Sequence, residues 1–171
     1  MYFIKDKKNV LIAALIAAVV FMAVGYAAFA TTLNINGKAT IDSNWDVEIT
    51  GITSTHTGTA SDKTAPTFTK TTATFDSTLV APGDSSEYTI TVENKGNIDA
   101  KLDSYTLTSE DGDTQSPAIA YTKVSQPAEG STLAAGESTT FVVKATYDSS
   151  ITEVPSVKSR TVIGTISYVQ K

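Results

Sequence analysis

Hydrophobic and polar positions divide the chain into two regimes that meet near residue 30. From Val10 to Phe29 the residues are apolar almost without a break, Gly25 and Tyr26 excepted. Beyond Ala30 apolar residues fall at every second position instead. "TLNI" sets Leu33 and Ile35 on one side, and Ala39 and Ile41 continue that side across Gly37. "WDVEITGI" alternates Trp45, Val47 and Ile49 against Asp46 and Glu48, and "EYTITVEN" alternates Tyr88, Ile90 and Val92 against Thr89, Thr91 and Glu93. Leu102, Tyr105 and Leu107 come later, and the period returns at Phe141, Val143, Ala145 and Tyr147 and at Val162, Ile166 and Tyr168. Such alternation in Thr- and Val-rich stretches marks antiparallel strands with one face buried.

Turn residues punctuate these runs at Pro82-Gly83-Asp84, Lys95-Gly96-Asn97, Asp111-Gly112-Asp113 and Ala135-Gly136-Glu137. The expected fold is all-β: an antiparallel β-sandwich of about eight strands, jelly-roll or immunoglobulin-like, preceded by an N-terminal hydrophobic helix or signal segment. Trp45, in phase with Val47 and Ile49, is expected in the core. Residues 53–67, "TSTHTGTASDKTAPT", lack alternation and are expected to form a long flexible loop. "STLVAPGDSSEYTITV" at 77–92 is echoed by "STLAAGESTTFVVKA" at 131–145, which predicts two similar turn-and-strand entries in one sandwich.

The leader decides the domain organisation. Lys5, Lys7 and Lys8 precede the apolar run, and Ala28-Phe29-Ala30 ends it with the small residues that a signal peptidase accepts. Cleavage before Thr31 is the expected outcome, with Ala28, Ala30 and Thr31 defining the site. The apolar run is also long enough for about one crossing of a bilayer, so retention as a membrane anchor is the alternative. Residues 1–30 thus form a signal peptide or anchor, 31–171 the β-sandwich domain. In both cases the lysines stay cytoplasmic and the remainder is exported. The chain ends "TISYVQK" with no sorting tail, so retention at the surface would come from assembly or from the membrane through residues 1–30.

Charge narrows the partners. Residues 31–171 hold 10 Lys and Arg against 17 Asp and Glu, a net of −7, which disfavours nucleic acid. With no cysteine, neither disulfides nor thiolate metal sites are available. The one histidine, His56, falls in the expected loop, and there is no Gly-x-Ser-x-Gly elbow to accompany it. No catalytic, cofactor-binding or metal-binding residue is therefore assigned. The turn "SEDGDTQ" offers Glu110, Asp111 and Asp113 to a hard cation; ordinary turn chemistry is favoured over weak calcium binding.

The segment "VGYAAFATT" resembles the export signals of the camelysin/TasA group of Gram-positive exported proteins. "LVAPGDSSEYTITVENKGNIDAKL", residues 79–102, is similar to that group's central motif. The resemblance implies a jelly-roll sandwich, a signal removed by a dedicated signal peptidase, and assembly into extracellular fibres of the biofilm matrix. It further implies that the first strand of the mature chain completes the sheet of the next subunit. Here that strand would be residues 31–41, with Leu33, Ile35, Ala39 and Ile41 as its apolar face. The metallopeptidase label of some members is not carried over, since the ligand set is missing. The expected function is a non-enzymatic structural subunit of the cell surface or biofilm matrix, self-associating by β-strand addition. A surface-held adhesin or ligand-binding sandwich is the alternative.

Overall fold

The computed structural model describes residues 3–29, 34–110 and 115–171. Contacts within the chain divide it into two units, Met1–Ile41 and Asp42–Lys171.

In the first unit, helix α1 runs Phe3–Phe29. Its described side chains, residues 7–23, are exposed all round and present no polar face after Asn9. Among the described residues no helix is long and apolar enough to cross a membrane. The backbone of Ala28 belongs to α1, whereas Ala30, Thr31 and Leu33 lie outside the described residues. Residues 34–41 carry no strand, contrary to their alternation, and Ile35 and Ile41 are 95% and 91% exposed. Period-2 alternation supplies a face to bury, but a strand also needs a neighbour to take its backbone hydrogen bonds.

The second unit is antiparallel β throughout its described strands: β1 Val47–Thr57, β2 Ser61–Phe68, β3 Ala73–Thr78, β4 Ser85–Asn94, β5 Ala100–Ser109, β6 Ile119–Ser125, β7 Thr132–Leu133, β8 Ser138–Tyr147 and β9 Val162–Gln170. One sheet has the order β1-β4-β8-β6, a second β7-β5-β9, and β2-β3 forms a separate hairpin. The alternating residues meet between the two sheets. Leu102 and Phe141 are completely buried, and Ile90, Val92, Tyr105, Leu133 and Val143 close around them; Tyr88, also completely buried, packs against Phe75 of the hairpin. The rings of Tyr105 and Phe141 pack edge to face, 5.1 Å between centroids.

The internal echo has a structural meaning. Its two halves end in β4 and β8, hydrogen-bonded neighbours in which Ile90 faces Phe141. Each strand is entered by a turn closed in the same way, Asp84 N donating to Ala81 O and Glu137 N to Ala134 O, with Gly83 and Gly136 at positive φ. Each turn then caps the end of the other strand: Gly83 N donates to Tyr147 O, and Gly136 N to Asn94 O. The repeated sequence is a local two-fold pair at the centre of the larger sheet.

Residues 53–67 are not a flexible loop. Thr53–Thr57 continue β1 against β4, and Ser61–Thr67 pair with β3. A bulge between Ile49 and Gly51 moves the inward positions of β1 from Val47 and Ile49 to Ile52, Ser54 and His56, so the apolar period breaks although the strand does not. β2 is mostly exposed along its length, so its sequence carries no apolar alternation, whereas every second residue of β3 is half-buried. The hairpin's main anchor is Phe75, stacked on Tyr88 at 4.1 Å.

Candidate functional site

The motif residues that carried the resemblance turn out to hold corners of the fold. Asp84, 4% exposed, accepts hydrogen bonds from the backbone N–H groups of Thr59, Val80 and Ala81 and from the Thr59 hydroxyl. Those donors, the backbone of Ala81 and Thr59 foremost, hold its carboxyl far below its ordinary value of 3.8. Gly58 makes the approach possible, because a Cβ there would stand 2.2 Å from Asp84 Oδ1. Asn94, fully buried, donates to Ile98 O and Leu133 O and accepts from Gly96 N, joining the β4–β5 turn to β7.

His56 is likewise structural in its surroundings, and the expectation of a solvated loop is corrected. Its Nδ1 lies 2.9 Å from Ser86 Oγ and its Nε2 3.4 Å from Asp62 Oδ2. These are the residue types of a serine-hydrolase triad. Ser86 has no exposed surface, however, so its hydroxyl cannot meet a substrate carbonyl. Asp62 is shared with Ser54 Oγ at 2.6 Å and Tyr88 Oη at 2.9 Å. Burial alone would raise the Asp62 carboxyl, but these donors together with His56 outweigh it and keep it lowered. The cluster clamps the β2-β3 hairpin onto β1 and β4. At the other end of that hairpin, buried Glu48 receives Lys70 at 2.6 Å and Lys95 at 2.5 Å, and Ile49 N donates to Lys70 O. The hydrogen bonds from Lys70 and Lys95 lower the Glu48 carboxyl.

Between these clamps and β9 the sandwich is open. A cleft of about 600 Å³ runs between the sheets, walled by Val47, Ile49, Ile90 and Val92 on one side and Leu107, Gly164, Ile166 and Tyr168 on the other. Phe75, Trp45 and Lys70 stand among its lining. Trp45 is 43% exposed rather than a core residue. It precedes β1, so its side chain has only one sheet to pack against. Val47, Ile49, Ile166 and Tyr168 point inward yet are only half-buried, because nothing among the described residues fills the space between them. β9 pairs with β5 on one edge, and no described strand pairs with the other. The cleft therefore offers both components of a strand-binding site, apolar walls and a row of free backbone donors and acceptors.

Gly164 interrupts a strand of otherwise larger residues at this cleft. It faces Leu107, and a Cβ on it would come within 3.1 Å of Leu107 Cδ2 and 3.7 Å of Tyr105 Cε2. Without a side chain there, Leu107 lies low over β9 and the cleft keeps its depth. A lone glycine inside a strand is the sequence signal that could have found this place.

Ile35, Ala39 and Ile41 are described as exposed and unpaired, so the structure brings them to no site, and Leu33 is outside the described residues. Glu110 is exposed beside β9's entry, where its N–H donates to Thr161 O; Asp111 and Asp113 fall outside the described residues. Among the described residues no group of three or more His, Cys, Asp or Glu is placed to hold a metal. The chain matches no family model, and neither a curated protein nor a solved structure is similar to it.

Proposed function

We propose that the protein is an exported, non-enzymatic structural subunit of the cell surface or extracellular matrix, assembling by β-strand addition. Residues 31–41 of one copy would seat in the cleft of the next, leaving the leader 1–30 to be removed by signal peptidase or kept as an anchor. The observation that carries this reading is the apolar cleft lying beside the free edge of β9. Strand order supports it. β1-β4-β8-β6 opposite β5-β9 corresponds to strands A-B-E-D and C-F of an immunoglobulin-type sandwich, in which strand G lies beside F. On this reading the sandwich is immunoglobulin-like rather than a jelly roll, and the incoming segment occupies the place of G.

The segment suits that place. Ile35 and Ile41 are nearly fully exposed, and burying both contributes about 3–6 kcal/mol before the cost of ordering the arm. Residues 42–46 are pinned to their own domain, Asn97 Nδ2 donating to Asp42 O at 2.8 Å and Asn44 N to Asn97 Oδ1 at 2.7 Å. The free part of the arm, residues 31–41, can then reach about 36 Å when extended. Its one charged side chain, Lys38, is opposite in sign to the acidic domain.

The test is deletion of residues 31–41 from a chain that begins at Thr31. Filaments seen by electron microscopy should disappear, and the free peptide "TTLNINGKATI" should bind the domain 42–171, whose buried core cluster includes no residue of the arm. Gly164→Val, by lifting Leu107 into the cleft, should abolish peptide binding while the domain stays folded. If the deletion only lowers the melting temperature, and the chain from Thr31 stays monomeric at every concentration, the proposal fails. Half-exposed Trp45 at the cleft favours one other reading, a surface-held module binding a small amphipathic ligand. A domain that ignores the peptide but binds such a ligand would favour it.

A further inference from the structure

Opposite the free edge of β9, the same sheet has a second edge. There β5 is paired by β7 only at Ala100 and Lys101. Leu102 still turns its backbone to that side, its N–H donating to Ser131 O and its C=O accepting from Gly130 N. Within one strand, residues whose side chains share a face also share an edge for their backbone groups. Tyr105 and Leu107 face inward as Leu102 does, so their N–H and C=O groups turn to this second edge, where no described strand takes them. The stretch Ser104–Ser109, "SYTLTS", carries no charge, proline or glycine and lies between Asp103 and Glu110. A β-prone edge of that composition is a template for pairing with another chain.

What meets this edge is a lysine at a position where an apolar residue would be expected. β6 is the edge strand of the other sheet, and its Lys123 stands opposite core residue Val143 of β8, just as Tyr121 stands opposite buried Ala145. Directly opposed residues share a face, so Lys123 starts on the inward side of β6. It stays exposed at the rim, and its Nζ stands 4.6 Å from the Tyr105 ring centroid and donates to Tyr105 O. The register of β6 shifts just beyond it, between Lys123 and Ser125. Arg160 laces the same two strands farther along, Nη1 donating to Ile119 O of β6 at 2.8 Å and Nη2 to Ser109 Oγ of β5 at 3.3 Å. We propose that Lys123 is a gatekeeper that keeps β5 of one copy from pairing with β5 of a second. A second copy is the fitting occupant because this edge is complementary to itself. Run antiparallel about Thr106, Tyr105 of each copy meets Leu107 of the other, and both present their backbone groups outward. The bond from Lys123 occupies one of those acceptors, and an arriving strand has to strip the ammonium of it and trap the charge beside the ring. The inference is independent of strand addition at β9 and stands whichever way that test falls.

The experiment measures the mass of domain 42–171, which holds every residue of the core cluster, by sedimentation across a concentration series. Lys123→Met keeps an apolar stem over Tyr105 and removes the donor and the charge. The unaltered domain should be a monomer at about 100 μM and Lys123→Met a dimer there, while Lys123→Arg, which keeps a cationic donor, should be a monomer. Adding Thr106→Lys to Lys123→Met should restore the monomer, because the dimer would set the two new ammonium groups directly opposite each other. A folded Lys123→Met that stays monomeric overturns the proposal, as does a dimer that survives Thr106→Lys. Association of the unaltered domain as strong as that of Lys123→Met overturns it too. Amide exchange in the unaltered domain gives a check that needs no variant: Leu107 N–H should show no protection, whereas Thr106 N–H, which faces β9, should be protected. Protection of Leu107 would mean that the edge is already covered, and the proposal fails.

Discussion

Phe141→Ala is the sharpest test of how the sandwich is held together. Phe141 is completely buried at the middle of β8, opposite Ile90 of β4 and edge-on to Tyr105 of β5, so it joins the two sheets. Removing a buried phenylalanine side chain costs about 3–5 kcal/mol in transfer and cavity terms together. The lost aromatic pair adds about 0.5–1.5 kcal/mol. The nearest space into which the site could collapse is the cleft, lined by neighbouring Ile90 and Val143, and such relaxation favours the lower part of that range. We expect a loss of about 4 kcal/mol, against a total of about 5–15 kcal/mol for a domain of ordinary stability. With a urea slope of about 2 kcal/mol/M, the midpoint should fall by about 2 M with no change in slope. The matched control is Val142→Ala one residue along, on the other face of the sheet and only half-buried, which should move the midpoint by less than about 0.5 M. Urea unfolding of domain 42–171, followed by circular dichroism, reads both variants. Equal shifts from the two substitutions would refute the assignment of faces, since a slip of one residue exchanges them.

Acid should unfold the domain through its buried carboxylates. Because Asp84 and Asp62 are held below their ordinary 3.8, the stability they contribute is complete above about pH 5 and is lost as pH falls through that value towards their folded-state values. The urea midpoint should decline between about pH 5 and pH 3, and Asp84→Asn should start lower at pH 7 and decline less steeply; an equally steep decline in the variant would exclude Asp84 as a contributor. Native exported protein should begin at Thr31 by N-terminal sequencing, and Ala30→Leu should block processing; a mature mass that includes residues 1–30 would mean an anchored domain instead.

Several features were legible in the residues themselves because they depend on local pattern. Alternation at 88–92, 105–107 and 141–145 was enough to place Tyr88, Ile90, Val92, Tyr105, Phe141 and Val143 inside, since a strand that buries one face must repeat every second residue. Leu102, three residues before Tyr105, shares their core only through the bulge between Leu102 and Ser104. Turn chemistry at Pro82-Gly83-Asp84 and Ala135-Gly136-Glu137 marked the starts of β4 and β8 for the same reason. What alternation could not decide was any place where a partner, rather than a face, makes the structure. The bulge after Ile49 reversed the parity of β1 and turned Ser54 and His56 inward, where Asp62 and Ser86 satisfy them. Hairpin β2-β3 rests on clamps at its two ends and on Phe75, so the exposed residues of β2 carry no period to read. Residues 34–41 show the converse: they have a strand's alternation but no neighbouring backbone to pair with, and they form no strand. The cleft belongs to this second kind too. Val47 and Ile49 lie more than a hundred residues from Gly164, Ile166 and Tyr168, and only the strand order β1-β4-β8-β6 over β7-β5-β9 sets those two edges face to face with apolar surface unburied between them.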